Sequence, residues 1–320
     1  MAVYTEVDDE ALEEFVARYD IGRVVSCKGI AEGVENSNYL LHTDQGPFIL
    51  TLYEKRVDPV DLPFFLNLMH HLAESGVKCP VPVEARDGAM LQTLEGRPAA
   101  IITFLHGMWP RRVTPRHCGQ LGSALAGLHE AGKTFNATRA NDLSISGWAA
   151  LFAACEDHAD EVAKGLHEEL GTELDHLRAS WPDDLPKGVI HADLFPDNVF
   201  FLDDEFSGVI DFYFACTDFL AYDIAVCLNA WCFEADGAMN VTKAHHLLAG
   251  YEEVRPLTDA EKDQLPLLAR GAAMRFLLTR LYDWVNTPEG ALVRPKNPME
   301  YVYKLRFHRG VTDIGAYGLK

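Results

Sequence analysis

The sequence predicts an α+β protein in two lobes, a small β-rich one followed by a larger, mainly helical one. Three observations carry this. Residues 24–53 run in short β-branched and aromatic stretches separated by turn residues. From Pro115 onward, apolar residues recur at helical spacing. Residues 188–212 form a strand-and-loop island within the helices. At 320 residues the chain is long enough for two modest domains, and the change of pattern divides it at 1–105 and 106–320.

The elements follow in order. Asp8 to Tyr19 is an amphipathic helix with Leu12, Phe15, Val16 and Tyr19 on one face; acidic residues open it, and Gly22 follows its end. Val24-Val25, Asn38 to His42 and Phe48 to Tyr53 read as three antiparallel strands, the first two joined by the Gly33 loop. A helix from Asp61 to Glu74 ends before Gly76, which suits its C′ position. Strands Met90–Leu94 and Pro98–Phe104 flank the Glu95-Gly96 turn. Helices are then expected at Arg116–Ala131, at Ser146–Leu177 in two pieces around Gly165 or Gly171, at Ala221–Phe233, Val241–Tyr251 and Leu265–Trp284, and near Tyr301–Arg306.

Composition narrows the functional classes. Apolar residues make up 48% and charged residues 24%, as in an ordinary globular protein. The net charge of −20 speaks against a nucleic-acid partner, because phosphate backbones attract basic faces. No apolar stretch is long enough to span a bilayer, so no membrane partner is expected. Met1 to Glu6 has neither a basic n-region nor an apolar core, so no signal peptide is expected. Seven scattered Cys residues without a CxxC pair fit reduced thiols and a cytoplasmic location. Oligomeric state leaves no mark.

The chemistry concentrates in Val189-Ile-His-Ala-Asp-Leu-Phe-Pro-Asp-Asn198 and Gly208-Val-Ile-Asp-Phe212. Apolar pairs, Val189-Ile190 and Val209-Ile210, lead toward His191-Ala-Asp193 and Asp211, so each acidic group is expected at the end of a buried strand. Asn198 follows Asp193 by five residues and Asp211 follows Asn198 by thirteen. Phosphoryl transfer needs such a set: a carboxylate to orient a hydroxyl, then an amide oxygen and a carboxylate to hold Mg²⁺ on nucleotide phosphates. His191 and Asp193 alone also suit a metal-ligand pair, and Asp197-Asn198 a plain turn. The lobe pattern is kinase-like, with nucleotide expected in the cleft between lobes.

With Tyr222-Asp-Ile-Ala225 just downstream, these segments resemble the aminoglycoside phosphotransferase and choline kinase superfamily. Ile49–Arg56, Asp61–Met69, Cys79–Val83 and Arg294–Pro298 look like the bacterial homoserine kinases built on that protein-kinase-like fold. The resemblance runs over nearly the whole chain. It implies ATP and Mg²⁺ as cofactors, L-homoserine as acceptor and a place in threonine biosynthesis. It also implies Asp193 as catalytic carboxylate, Asn198 and Asp211 as Mg²⁺ ligands, and His191 as a brace of the loop. Gly33 and Ser37 would lie in the phosphate-covering loop, and the backbone of Thr103 to Leu105 would read adenine. Many relatives carry Lys or Arg in the third strand, whereas Thr51 stands here and supplies no positive charge.

A zwitterionic acceptor calls for a guanidinium and an acidic group. Arg275, Arg280, Asp218 and Asp223 are available. Arg280 and Asp223 are candidates, with a structural ion pair between Arg280 and Asp283 or Asp223 as the alternative. Tyr213 and Phe214 either line the acceptor pocket or pack the core. Two readings stand beside homoserine: a kinase for choline, an aminoglycoside or another amino alcohol, and a nucleotide-binding module without transferase activity.

Overall fold

Alternating burial along the early strands builds a sheet with a covered face. The computed structural model describes residues 4–30, 36–54, 57–287 and 295–319. The chain divides into two compact units, and the division is not a single cut. The first comprises Met1–Gly107, Phe135–Arg139 and Ser207–Tyr213; the second comprises Met108–Thr134, Ala140–Phe206 and Phe214–Lys320.

In the first unit, helix α1 (Asp9–Val16) is capped by the Asp8 carboxylate, which accepts from the Ala11 N–H at 2.8 Å. Strands β1 (Val24–Gly29), β2 (Ser37–Thr43) and β3 (Gly46–Leu52) are followed by α2 (Leu62–Glu74), β4 (Gln92–Leu94) and β5 (Arg97–Thr103). The sheet is antiparallel in the order β1-β2-β3-β5-β4. In β2, Ser37, Tyr39, Leu41 and Thr43 are buried in strict alternation, the signature of a strand with one face on a core. Leu12, Phe15 and Val16 of α1 meet Leu41, Leu50, Leu52 and Ile101 in that core. Glu95 and Gly96 both have positive φ, 52° and 70°, as the tight β4–β5 hairpin requires. Asp61 at the start of α2 does not cap it; its carboxylate pairs with Arg139 at 2.6 Å.

The second unit carries α3 (Pro115–Gly132), α4 (Ile145–Ala153), α5 (Ala159–Val162), α6 (Leu166–Ser180), α7 (Leu220–Trp231), α8 (Val241–Glu252), α9 (Asp259–Asn286) and α10 (Met299–Arg309). Thr114 and His117 form a capping box on α3. Helices α3 and α8 cross with their backbones in contact. A Cβ on Gly122 would fall 2.0 Å from the Leu247 carbonyl, and one on Gly250 would fall 2.2 Å from the Gly119 carbonyl. Helix α7 is buried at every residue except Ala230, so it is the central helix of this unit.

The region expected as one helix in two pieces breaks twice, after Ala153 and again before Gly165, whose φ is +82°; Gly171 lies inside α6. Helix α9 begins six residues before the expected Leu265. Its start is set by the Thr258–Glu261 capping box, and Pro266 is accommodated inside it. The island comprises β6 (Lys187–Ile190), β7 (Val199–Leu202) and β8 (Glu205–Val209). A further strand, β9 (Cys216–Phe219), was not expected from sequence, because four residues containing an Asp show no alternation. It pairs antiparallel with β6.

Candidate active site

Strand β6 ends at Ile190 and delivers the chain to His191, Ala192 and Asp193. Ala192 adopts φ +64°, the left-handed region, which costs a non-glycine residue about 1–2 kcal/mol. The surroundings hold that conformation at both ends. Asp223, fully buried in the first turn of α7, accepts from the His191 N–H at 2.7 Å and the Ala192 N–H at 2.8 Å. The Arg275 guanidinium donates to the Ala192 carbonyl. Behind Asp223 stands His129, 3.2 Å away through Nε2, with its Nδ1 2.7 Å from the Tyr251 hydroxyl. Burial alone would push the Asp223 carboxyl up. The hydrogen bond and charge of His129, with His191, outweigh burial and hold it below the usual carboxylate range.

Asp193 is half-buried. Its N–H donates to His191 Nδ1 at 3.3 Å, and its carbonyl accepts from the Phe195 N–H at 2.8 Å. A single 3₁₀ turn, Pro196–Asn198, returns Asn198 to it. The Asn198 Nδ2 group donates to the Asp193 carbonyl at 2.8 Å and approaches its carboxylate at 3.3 Å. With the donor end so committed, Oδ1 is the end that offers a hard oxygen to a cation. The Trp231 indole N–H ties down the intervening Leu194 carbonyl at 2.7 Å.

Asp211 belongs to the first unit, is exposed and is itself left-handed at φ +66°. Gly208 ahead of it packs so closely that a Cβ would lie 2.6 Å from the Lys78 carbonyl. Tyr213 behind it meets the Tyr53 hydroxyl at 3.1 Å and stands edge-on to the Tyr53 and Phe65 rings. Burial pushes the Tyr213 phenol well up, and a hydrogen bond with Thr51 pulls back against it. Thr51 is 2% exposed and donates to Asn38 Oδ1 at 2.8 Å. The position occupied by Lys or Arg in many relatives is therefore one link in a neutral chain of Asn38, Thr51, Tyr213 and Tyr53. Lys55, Arg56 and Gly33 lie outside the described residues.

Several expected site residues are committed elsewhere. Ser37, expected at phosphate, is fully buried; its hydroxyl donates to Glu54 at 2.7 Å and accepts from the Tyr4 N–H at 2.8 Å. Thr103, expected to read adenine, binds Val81 with both its N–H and its hydroxyl, each at 2.9 Å. Leu105 packs its side chain against Gly208, a contact that does not engage its backbone groups, the ones expected to read adenine. Asp223, expected at the acceptor, spends its carboxylate on the His191 and Ala192 N–H groups. Arg280 pairs with Glu300 at 2.5 Å rather than with Asp283 or Asp223, and lies over the Tyr301 ring. His129 and Arg275 hold the loop from α3 and α9; the sequence carries no local signal for the first and only an Arg on an apolar helix for the second. Among the described residues, no group of three or more His, Cys, Asp or Glu is placed to hold a metal.

Residues 26–257 match the phosphotransferase enzyme family. A homoserine kinase of Rhodospirillum rubrum is 68% identical, covering 100% of this chain and 99% of that protein. One from Paramagnetospirillum magneticum is 64% identical with 100% of both chains covered. Among solved structures, a spectinomycin phosphotransferase in complex with ADP and spectinomycin superposes with a TM-score of 0.68 at 14% identity, covering 98% of each chain. A choline kinase from Cryptosporidium parvum superposes at 0.66 and 13% identity over 94% of each chain, and thus shares the fold. The match to the family over most of its length, and to these relatives over all of it, means that the chain belongs to the phosphotransferase enzyme family, in the branch of the bacterial homoserine kinases.

Proposed function

We propose that this chain transfers the γ-phosphate of ATP to the side-chain hydroxyl of L-homoserine, the phosphorylation step expected in threonine biosynthesis. The observation that carries the reading is the full-length identity of 60–68% to homoserine kinases, together with the intact Asp193–Asn198 pair. Asp193 accepts a hydrogen bond from the acceptor hydroxyl and aims its oxygen at the γ-phosphorus. As the new O–P bond forms and the bond to the β-phosphate breaks, Asp193 receives the hydroxyl proton. Its main contribution is positioning, because the transition state is loose and needs little early proton removal. Asn198 and Asp211 would hold Mg²⁺, which would neutralise charge on the phosphates. His191 braces the loop through its contact with the Asp193 N–H. None of the seven cysteines is in a disulfide, as a cytoplasmic ATP-using enzyme would keep them.

The test is ADP release with Mg²⁺ over a panel of L-homoserine, choline and an aminoglycoside. Turnover on homoserine and O-phosphohomoserine as product are expected. Turnover on choline with none on homoserine would overturn the acceptor. In a parallel Mg²⁺ titration, Asp211→Ala is expected to lose Mg²⁺-dependent nucleotide binding; an unchanged titration would remove Asp211 as a ligand.

A further inference from the structure

Arg275 is a buried cation that lacks an anion. It is 1% exposed, its guanidinium donates to a neutral carbonyl at Ala192, and its Nε has no hydrogen-bond partner. The neighbouring arginines are treated differently: Arg255, Arg270 and Arg280 each meet a glutamate. Two further buried groups share this condition. The hydroxyls of Tyr222 and Tyr301 also lack a hydrogen-bond partner. Burial raises both phenols; the Arg275 charge pulls the Tyr222 phenol back, and the Tyr301 phenol is pulled back first by Arg280 and more weakly by Arg275. Three of the five orphaned side-chain polar atoms among the described residues thus belong to Arg275 and to two phenols that feel its charge. Buried polar groups normally have partners, and a buried charge has the strongest need of one.

A buried guanidinium with an unpartnered Nε is complementary to a carboxylate: it offers charge-assisted hydrogen bonds, and among the described residues it forms no ion pair. Arg275 already touches Ala192, whose Cα lies about 3.8 Å from that of Asp193. A carboxylate here and a hydroxyl at Asp193 are therefore separated on the scale of a short amino acid. The half-buried Phe214 ring lies 5.7 Å from the guanidinium and the Phe276 ring 4.5 Å from it.

We propose that Arg275, with Tyr222 and Tyr301, binds the carboxylate of the acceptor and so selects an α-amino acid over amino alcohols. This rests on the homoserine reading above. It is tested by comparing kcat/KM for L-homoserine with that for L-homoserinol, in which a hydroxymethyl group replaces the carboxylate. The wild-type enzyme is expected to prefer homoserine by on the order of 100-fold or more. Arg275→Gln should collapse that preference by depressing homoserine turnover far more than homoserinol turnover. Tyr222→Phe and Tyr301→Phe remove only a hydroxyl that has no protein partner. They should keep the melting temperature and raise the homoserine KM by about 5–10-fold. An equal loss on both acceptors in Arg275→Gln would make Arg275 a brace of the loop alone, and unchanged KM in both Tyr variants would mean that water satisfies the cluster; either result overturns the proposal. Wild-type turnover on choline with none on homoserine would instead remove the reading beneath it.

Discussion

The Ala192 loop of the second unit and the Asp211 loop of the first use the same backbone device in different surroundings. Each places a non-glycine residue in the left-handed region, Ala192 at φ +64° and Asp211 at φ +66°. Around Ala192 the holding groups are ionic: the Asp223 carboxylate takes the N–H side and the Arg275 guanidinium takes the carbonyl. Beside Asp211, Gly208 packs on the Lys78 carbonyl, and Tyr213, Tyr53 and Thr51 form a network of neutral hydroxyls. Removing one member of a buried ionic set strands the others, whereas a neutral hydrogen bond contributes about 1 kcal/mol net. The ionic loop should therefore be more brittle than the neutral hydroxyl network.

The largest expected effect sharpens the role of the ionic loop. Asp193→Asn is expected to lower kcat by on the order of 10²–10⁴-fold while nucleotide affinity stays near normal. Near-normal turnover in that variant would sink the assignment.

Next is the brace. In Asp223→Asn, the new amide can accept only one of the two loop N–H groups and turns its own NH₂ toward the other. A loss of about 3 kcal/mol or more is expected in denaturant unfolding, and a loss under about 1 kcal/mol would break the comparison. The pH dependence follows from the same group. Asp223 has its folded pKa depressed, so its stabilisation is complete above the ordinary carboxylate pKa near 3.9 and is lost as pH falls through the lower folded value. The stability gap between wild type and Asp223→Asn should thus be flat at neutral pH and close in acid. A gap that widens in acid would contradict the sign.

The neutral network should yield less. Thr51→Val keeps shape and burial but deletes the hydroxyl between Asn38 and Tyr213. A loss of about 1 kcal/mol is expected with no change in its pH dependence. The smallest effect is Ala192→Gly, which relieves the left-handed strain and should stabilise by about 0.5–1 kcal/mol despite the entropy of glycine. A fall in melting temperature there would show that the Ala192 methyl group packs more than it strains.

Much of the fold was legible because it follows short-range periodicity. The β2 alternation, the α1 stripe and the Glu95-Gly96 hairpin each read directly from neighbouring residues. What escaped were elements whose cause is distant. Strand β9 exists because β6 needs a partner, and α9 extends back through Pro266 because Thr258 and Glu261 cap it. The pattern within the site is similar. Asp193 and Asn198 lie five residues apart and meet through one 3₁₀ turn, so sequence order alone brings them together. Ser37 and Asp223 were assigned to ligands by their place in the chain, yet their partners come from Glu54, the Tyr4 N–H and the His191–Ala192 peptides.

The sequence by itself determined the reaction class, since the His191-Asp193-Asn198-Asp211 order is a local code of residue types at short spacing. It also determined that no charge stands at Thr51. Tertiary structure decided which polar groups are already satisfied and which are left over. It engaged the hydroxyl of Ser37, turned Asp223 into a brace and left Arg275 buried without an anion. The physical reason is range. Helical and strand periods act over a few residues, whereas a buried hydrogen bond or charge is satisfied by whatever packing brings alongside it.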